Sequence, residues 1–161
     1  MALGPLDGIR VVDLYAGSGA LAIEALSRGA AWADLVERDA RAREAIARNV
    51  EELGLGERVK LWPLRLPGGL SRLASVLARA GIVFADPPYG GNDARAVLAG
   101  LSGPGLLRPG TRVVLESHAK DPIPERQGSL VRERKRRYGE TAVHVYRAGG
   151  DLPPPNEGEE S

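Results

Sequence analysis

The chain has 161 residues, 43% of them hydrophobic, and a formal net charge of +1; that is one domain's worth, long enough to bury roughly 70% of its unfolded surface with no metal or disulfide to hold it. It contains no cysteine, which excludes disulfide frameworks, thiolate zinc sites and cysteine nucleophiles. No run of about 18 apolar residues exists, and the start MALGPLDGIR lacks a basic-then-apolar signal pattern, so a cytoplasmic protein without membrane association is expected.

Apolar, β-branched runs alternate with helix-period segments from the start, and the spacing suits βα units rather than hairpins. IRVVDLYA reads as a strand leading into the helix GALAIEALSRG, and WADLVER as a second strand leading into DARAREAIARNVEELGLG. That second helix carries Asp39 as N-cap, apolar residues at helical spacing through Leu53, and Gly54 and Gly56 at its end. RVKLW is the third strand, GGLSRLASVLARAG a third helix, IVFAD a fourth strand, DARAVLAGL a fourth helix and GTRVVLESH a fifth strand. After the loop AKDPIPERQG, the segment SLVRERKRRYGETAVHVYRA reads as two strands joined near residues 138 to 140, a hairpin added to the sheet. The elements imply an α/β domain over residues 1–148 with a parallel, doubly wound sheet. Residues 149–161 hold four acids and no base, so all 22 basic residues face 17 of the 21 acids in residues 1–148, a net charge of +5. This acidic tail, with three consecutive prolines, is expected to be disordered.

Two turns carry the candidate chemistry. In DLYAGSGALA, residues 13 to 22, Asp13 closes a strand and Gly17 and Gly19 precede a helix whose free N–H groups favour polar ligand groups. Gly17, Gly19 and Ala22 satisfy a G-x-G-x-x-A fingerprint, and Glu37 lies where an acid accepts hydrogen bonds from ribose hydroxyls. The pattern implies a nucleoside-bearing cofactor. An acid at the strand tip would repel a pyrophosphate but suits a cofactor with an amino group and positive charge, as S-adenosylmethionine has. Tyr15 and Arg38 join the candidate cofactor-binding set, with core packing an equal alternative for Tyr15.

The second turn is VFADPPYGG, residues 83 to 91. In an open parallel sheet, ligands bind beyond the carboxyl ends of the strands near the switch in strand order, and strand four commonly neighbours strand one. An exocyclic amine is a poor nucleophile, so a site that methylates one should accept hydrogen bonds from its protons. Asp86 and the Pro87 carbonyl are acceptors, Pro87 and Pro88 stiffen the backbone, and Tyr89 offers a face for stacking. These four are the candidate catalytic residues.

Four stretches, DLYAGSGALAIEALSRGA, VERDARAREAIARNVEELGL, FADPPYG and RRYGETAVHVY, together resemble the RsmD family, bacterial methyltransferases of small-subunit ribosomal RNA that modify a guanine exocyclic amine. The resemblance covers residues 8 to 148. It implies a Rossmann-like class I methyltransferase: a seven-stranded, mostly parallel sheet with an antiparallel last strand, helices on both faces, and S-adenosylmethionine as cofactor. It further implies that Asp13, Gly17 and Gly19 line the methionine part, that Glu37 holds the ribose, and that Asp86 to Tyr89 form the target-base site. The partner would be 16S rRNA in the small ribosomal subunit, acted on by a monomer. Members of that family usually carry a basic segment and a helix before the first glycine strand; this chain begins almost at the strand, so that segment is expected to be missing. The third-strand loop WPLRLPGG offers no acid or amide for an adenine amino group.

Arg132, Arg134, Lys135, Arg136 and Arg137 are candidate RNA-binding residues. Strand alternation would send Arg132, Arg134 and Arg136 to one side, forming a phosphate-facing row; a charged edge that deters unwanted strand pairing is the structural alternative. His118 reads as a solvated loop residue and His144 as lying on the outer face of a strand. Neither has partners at metal-ligand spacing, so no metal is expected. Trp32 and Trp62 have no evident role. The alternatives are an adenine or cytosine amino-methyltransferase, an NAD-dependent oxidoreductase favoured by the glycine fingerprint, and a non-catalytic RNA-binding module.

Overall fold

The computed structural model describes residues 5–149; all of the expected tail but Gly149 lies outside them. Strand β1 (Arg10–Asp13) leads into helix α1 (Ala20–Ser27), β2 (Trp32–Val36) into α2 (Ala40–Glu52), and β3 (Val59–Trp62) into a 3₁₀ segment, Gly68–Leu73, that ends in the single turn α3 (Ala74–Leu77). Strand β4 (Ile82–Ala85), helix α4 (Asp93–Leu101) and strand β5 (Arg112–His118) follow. The chain then adds β6 (Arg126–Gln127), β7 (Leu130–Tyr138) and β8 (Thr141–Ala148). Asp39 caps α2 as the sequence implies, its Oδ1 accepting from the Arg41 amide at 2.8 Å. The third helix is the least regular because Gly68 and Gly69 open it, and adjacent glycines carry a large backbone-entropy cost in a helix.

The strands form one eight-stranded sheet in the order β3-β2-β1-β4-β5-β8-β7-β6. Strands β1 to β5 are mutually parallel, and β8 enters antiparallel beside β5. Seven strands and a single turn of direction were expected; the eighth is β6, two residues within the supposed loop, which pair with Val131 and Leu130 at the start of β7. Pro122 and Pro124 lack an N–H and delay pairing until the chain has passed them.

Alternation along the parallel strands divides the core. Val11, Leu35, Phe84 and Val114 face α1 and α2, where Ala25, Leu26 and Ile46 meet them. Val12, Val83, Val113 and Leu115 face the opposite way, against Leu73, Leu77, Val97 and Leu98. Strand β8 is buried along most of its length because Val143 and Val145 join one core on one face and Tyr146 and Ala148 join the other core on the opposite face. That corrects the expectation for His144, which is 1% exposed. Its Nε2 lies 3.0 Å from Ser117 Oγ and its Nδ1 3.2 Å from the Arg132 guanidinium. Burial, with Arg132 and Lys135 adding, pushes its pKa down to about 4, so the ring is neutral at pH 7.

The basic strand also departs from simple alternation. A bulge lies between Arg132, opposite Tyr146, and Arg134, opposite Val145. Directly opposed residues share a face, so the extra residue Glu133 turns Arg132 to the other face from Arg134 and Arg136. Arg132 is held by His144 and Glu125, whereas Arg134, Lys135, Arg136 and Arg137 are exposed.

Candidate active site

Strands β1 and β4 are direct neighbours, with Asp13 opposite Phe84, so the turns leaving them lie side by side at the carboxyl edge of the sheet. The chain leaves β1 through Leu14, whose amide donates to the Phe84 carbonyl at 2.9 Å, and turns at Ala16, whose amide donates to the Val36 carbonyl at 3.0 Å. Gly17 and Gly19 then take φ values of 55° and 80°, a region that side chains disfavour. A Cβ on Gly19 would press on Ile46 and Leu35 at 3.3 and 3.4 Å, while one on Gly17 would meet nothing within 4 Å. The first glycine therefore fronts open space and the second serves packing. No side chain caps α1, which leaves its first amides available to a ligand.

Glu37 is fixed from both sides. Its Oε2 accepts from the Gly17 amide at 2.9 Å and its Oε1 from the Asp39 amide at 3.1 Å, while the Arg43 guanidinium donates to the carbonyls of Glu37 and Arg38. Arg38 is exposed and Glu37 half-buried. Both line a cleft with Leu14, Tyr15, Val36, Leu64, Leu66, Pro88 and Asp93. Spacing alone did not bring out Leu64 and Leu66, which supply apolar walls from the third-strand loop, or Asp93 at the start of α4, whose charge joins burial in pushing the Tyr15 hydroxyl up to about 12.

Asp13 is 1% exposed and neither of its carboxyl oxygens has a hydrogen-bond partner among the described residues; the Tyr15 hydroxyl is in the same condition. Burial pushes Asp13 up to about 7, and the charges of Asp86 and Glu37 add to the rise. The Tyr15 amide, outside hydrogen-bonding geometry, offsets only part of it. A buried acid without partners is costly, and a cationic or N–H-bearing ligand group would relieve that cost.

On the β4 side, Pro87 is buried, while Asp86 and Pro88 are exposed. Tyr89 is 52% exposed, yet its ring is positioned: the hydroxyl lies 2.8 Å from Thr141 Oγ1 on β8, and the His118 ring stands edge-on at 6.1 Å. His118 is thus the last residue of β5 and a buttress for Tyr89, rather than a solvated loop residue; its Nδ1 accepts from the Lys120 amide at 3.1 Å. Asp86 has a second acid beside it, Glu116 on β5, which the regular strand VVLESH concealed. The candidate residues of both turns come together at one edge. The basic residues of β7 form a separate stretch running toward it, with Tyr138 opposite Thr141. Among the described residues no group of three His, Asp or Glu side chains is placed to hold a metal, and no helix is long and apolar enough to cross a membrane.

Comparison with known proteins places this arrangement. Residues 2–147 match the family described as conserved hypothetical protein 95. YlbH of Bacillus subtilis, provisionally named an rRNA methyltransferase, is 34% identical over 92% of this chain and 81% of its own length. Ribosomal RNA small subunit methyltransferase D of Escherichia coli is 31% identical over 84% of this chain, which spans 66% of that protein. A conserved hypothetical protein of Streptococcus pyogenes superposes with a TM-score of 0.77 at 34% identity, covering 91% of this chain and 90% of its own. Structures sharing the fold at 22% and 14% identity were solved with S-adenosyl-L-homocysteine bound. The sheet order, the two facing turns and these matches agree: the chain has the Rossmann-like class I methyltransferase fold and belongs to the conserved hypothetical protein 95 family, the RsmD family that its sequence resembles.

Proposed function

We propose that this chain transfers a methyl group from S-adenosylmethionine to the exocyclic N2 amine of a guanine in 16S rRNA, acting as a cytoplasmic monomer on the small ribosomal subunit. The observation that carries the reading is the pairing of β1 with β4, which sets the glycine turn beside Asp86, Pro87, Pro88 and Tyr89. The names of the two bacterial relatives support it.

The cofactor fits the residues present. Asp13, buried and without partners, suits the positive amino-acid end. Glu37 suits the ribose, Tyr15 and Arg38 flank it, and the apolar walls from Leu14, Val36, Leu64 and Leu66 suit the flat adenine. Once bound, S-adenosylmethionine supplies an electrophilic methyl group on a sulfonium. The chain's own residues do the rest: Asp86 and the Pro87 carbonyl accept from the target amine and hold its lone pair toward the methyl, and the braced Tyr89 ring stacks on the base. A base presented this way must leave its stack, and Arg134, Lys135, Arg136 and Arg137 supply phosphate contacts that steady the flanking strand. Arg132, held inward, contributes by supporting β8.

Calorimetric titration with S-adenosyl-L-homocysteine, with NAD in parallel, tests the cofactor assignment; binding of NAD alone would replace methyl transfer with redox chemistry. Labelled methyl transfer to unmodified small subunits tests the rest. Asp86→Ala should lower the transfer rate by about 10³-fold or more while leaving S-adenosyl-L-homocysteine affinity within about threefold; persistent transfer would remove Asp86 from the chemistry.

A further inference from the structure

Asp86 and Glu116 stand on adjacent parallel strands. β4 and β5 pair Ala85 with Leu115, so the next step in register sets Asp86 beside Glu116, on the face already followed by Phe84 and Val114. Both acids line one cavity of about 220 Å³, with walls from Leu21, Ala25, Phe84 and Val114. Two carboxyl groups set side by side on one cavity wall hold a proton between them more readily than both ionise, because like charges at close quarters repel. Burial first, then the hydrogen bond and charge of Asp86, push Glu116 up to about 7. Among the described residues the charged groups facing the pair are few. On α1, Glu24 and Arg28 are joined to each other at 2.7 Å; Asp13 faces it from β1. On β8 the residue opposite Glu116 is the apolar Val143, beyond which lies Arg136 on β7, and His118 follows two residues along β5. None replaces the partner that each acid finds in the other.

We propose that Glu116 is a positioning residue for methyl transfer, and that the Asp86–Glu116 carboxyl pair acts as one unit to take the proton released by the target amine. The inference rests on the activity proposed above. As the nitrogen lone pair forms the N–C bond, the C–S bond breaks and its electrons return to sulfur; one N–H proton passes to Asp86, and the pair changes from doubly charged to singly protonated. A solitary carboxylate, with a pKa near 4, is a weak base at neutral pH. Glu116, raised to about 7, keeps a proton-accepting carboxyl of the pair close to the working pH.

The test is the pH dependence of labelled methyl transfer from S-adenosylmethionine to unmodified small ribosomal subunits by the full chain, from about pH 5.5 to 8.5. In the unmutated protein the rate should rise about tenfold through pH 7 and then level off. Glu116→Gln keeps a hydrogen-bond donor for Asp86 but cannot ionise: the rise should disappear, the plateau fall by about 10- to 100-fold, and KM for the subunit stay within about threefold. Glu116→Asp should restore part of the rise. Transfer by Glu116→Gln with an unaltered profile would overturn the pair alone. Absence of transfer by the unmutated chain would overturn the proposed activity, and the pair's role with it. Carboxyl ¹³C titration of the free protein gives a readout independent of turnover: Glu116 should titrate near pH 7 and move toward the ordinary carboxylate range in Asp86→Asn, and a Glu116 transition near pH 4, or one that Asp86→Asn leaves unmoved, would overturn the pairing.

Discussion

Two buried aspartates sit on neighbouring strands under opposite conditions. Asp34, on β2, is 3% exposed, and the indole N–H groups of Trp32 and Trp62 donate to its two oxygens at 3.0 and 2.9 Å. Asp13, at the end of β1, is as deeply buried and has no partner among the described residues. The same sheet therefore can satisfy an interior acid, and does so where the acid serves the fold. The missing partners at Asp13 leave an acid that the fold does not satisfy, which supports the proposal that it meets a ligand and distinguishes it from Asp34 more sharply than burial alone.

The comparison can be broken by experiment. Its largest expected effect is on stability: Asp34→Ala strands two indole donors and should cost about 2–4 kcal/mol in chemical denaturation, with S-adenosyl-L-homocysteine affinity of the folded protein unchanged. A change in affinity as large as the change in stability would erase the distinction. Asp13→Asn should act in the opposite sense on both counts. Because the folded-state pKa of Asp13 is raised from 3.8 to about 7, folding favours its neutral form; its cost grows as pH rises from 3.8 to about 7 and is constant above. The amide should therefore raise Tm by about 4 °C at pH 8, with the gain shrinking toward pH 4, and weaken S-adenosyl-L-homocysteine binding about tenfold. Loss of stability at pH 8 would show that Asp13 has a structural partner after all. The smallest effect belongs to the other orphaned group: Tyr15→Phe should change stability by less than about 1 kcal/mol, toward greater stability, and lower ligand affinity about two- to threefold.

The parallel half of the molecule was largely legible because each signal there is local. Val11 and Val12 alternate between two cores, Asp39 caps its own helix, and Gly17, Gly19 and Glu37 lie at spacings set by one βαβ unit. The turns at Asp13 and Asp86 followed from the habit of such sheets to place strand one beside strand four. The antiparallel half was less legible, since register there depends on residues far apart. Nothing in RERKRRY announces that Glu133 is the bulge that turns Arg132 inward, and the alternation VHVY cannot say that β8 is covered on both faces. Glu116 was hidden for a related reason. In VVLESH it is one polar residue on a strand end, and its significance appears only when β5 is laid beside β4.

The double hold on Glu37 by the Gly17 and Asp39 amides bears on how fast a ligand is captured. The loop ends of β1 and β2 are latched together before any ligand arrives, so the entropy of ordering them is lost during folding rather than on association. Association at this edge then requires desolvation and orientation but no loop closure, and its rate should follow simple second-order kinetics without a slow rearrangement.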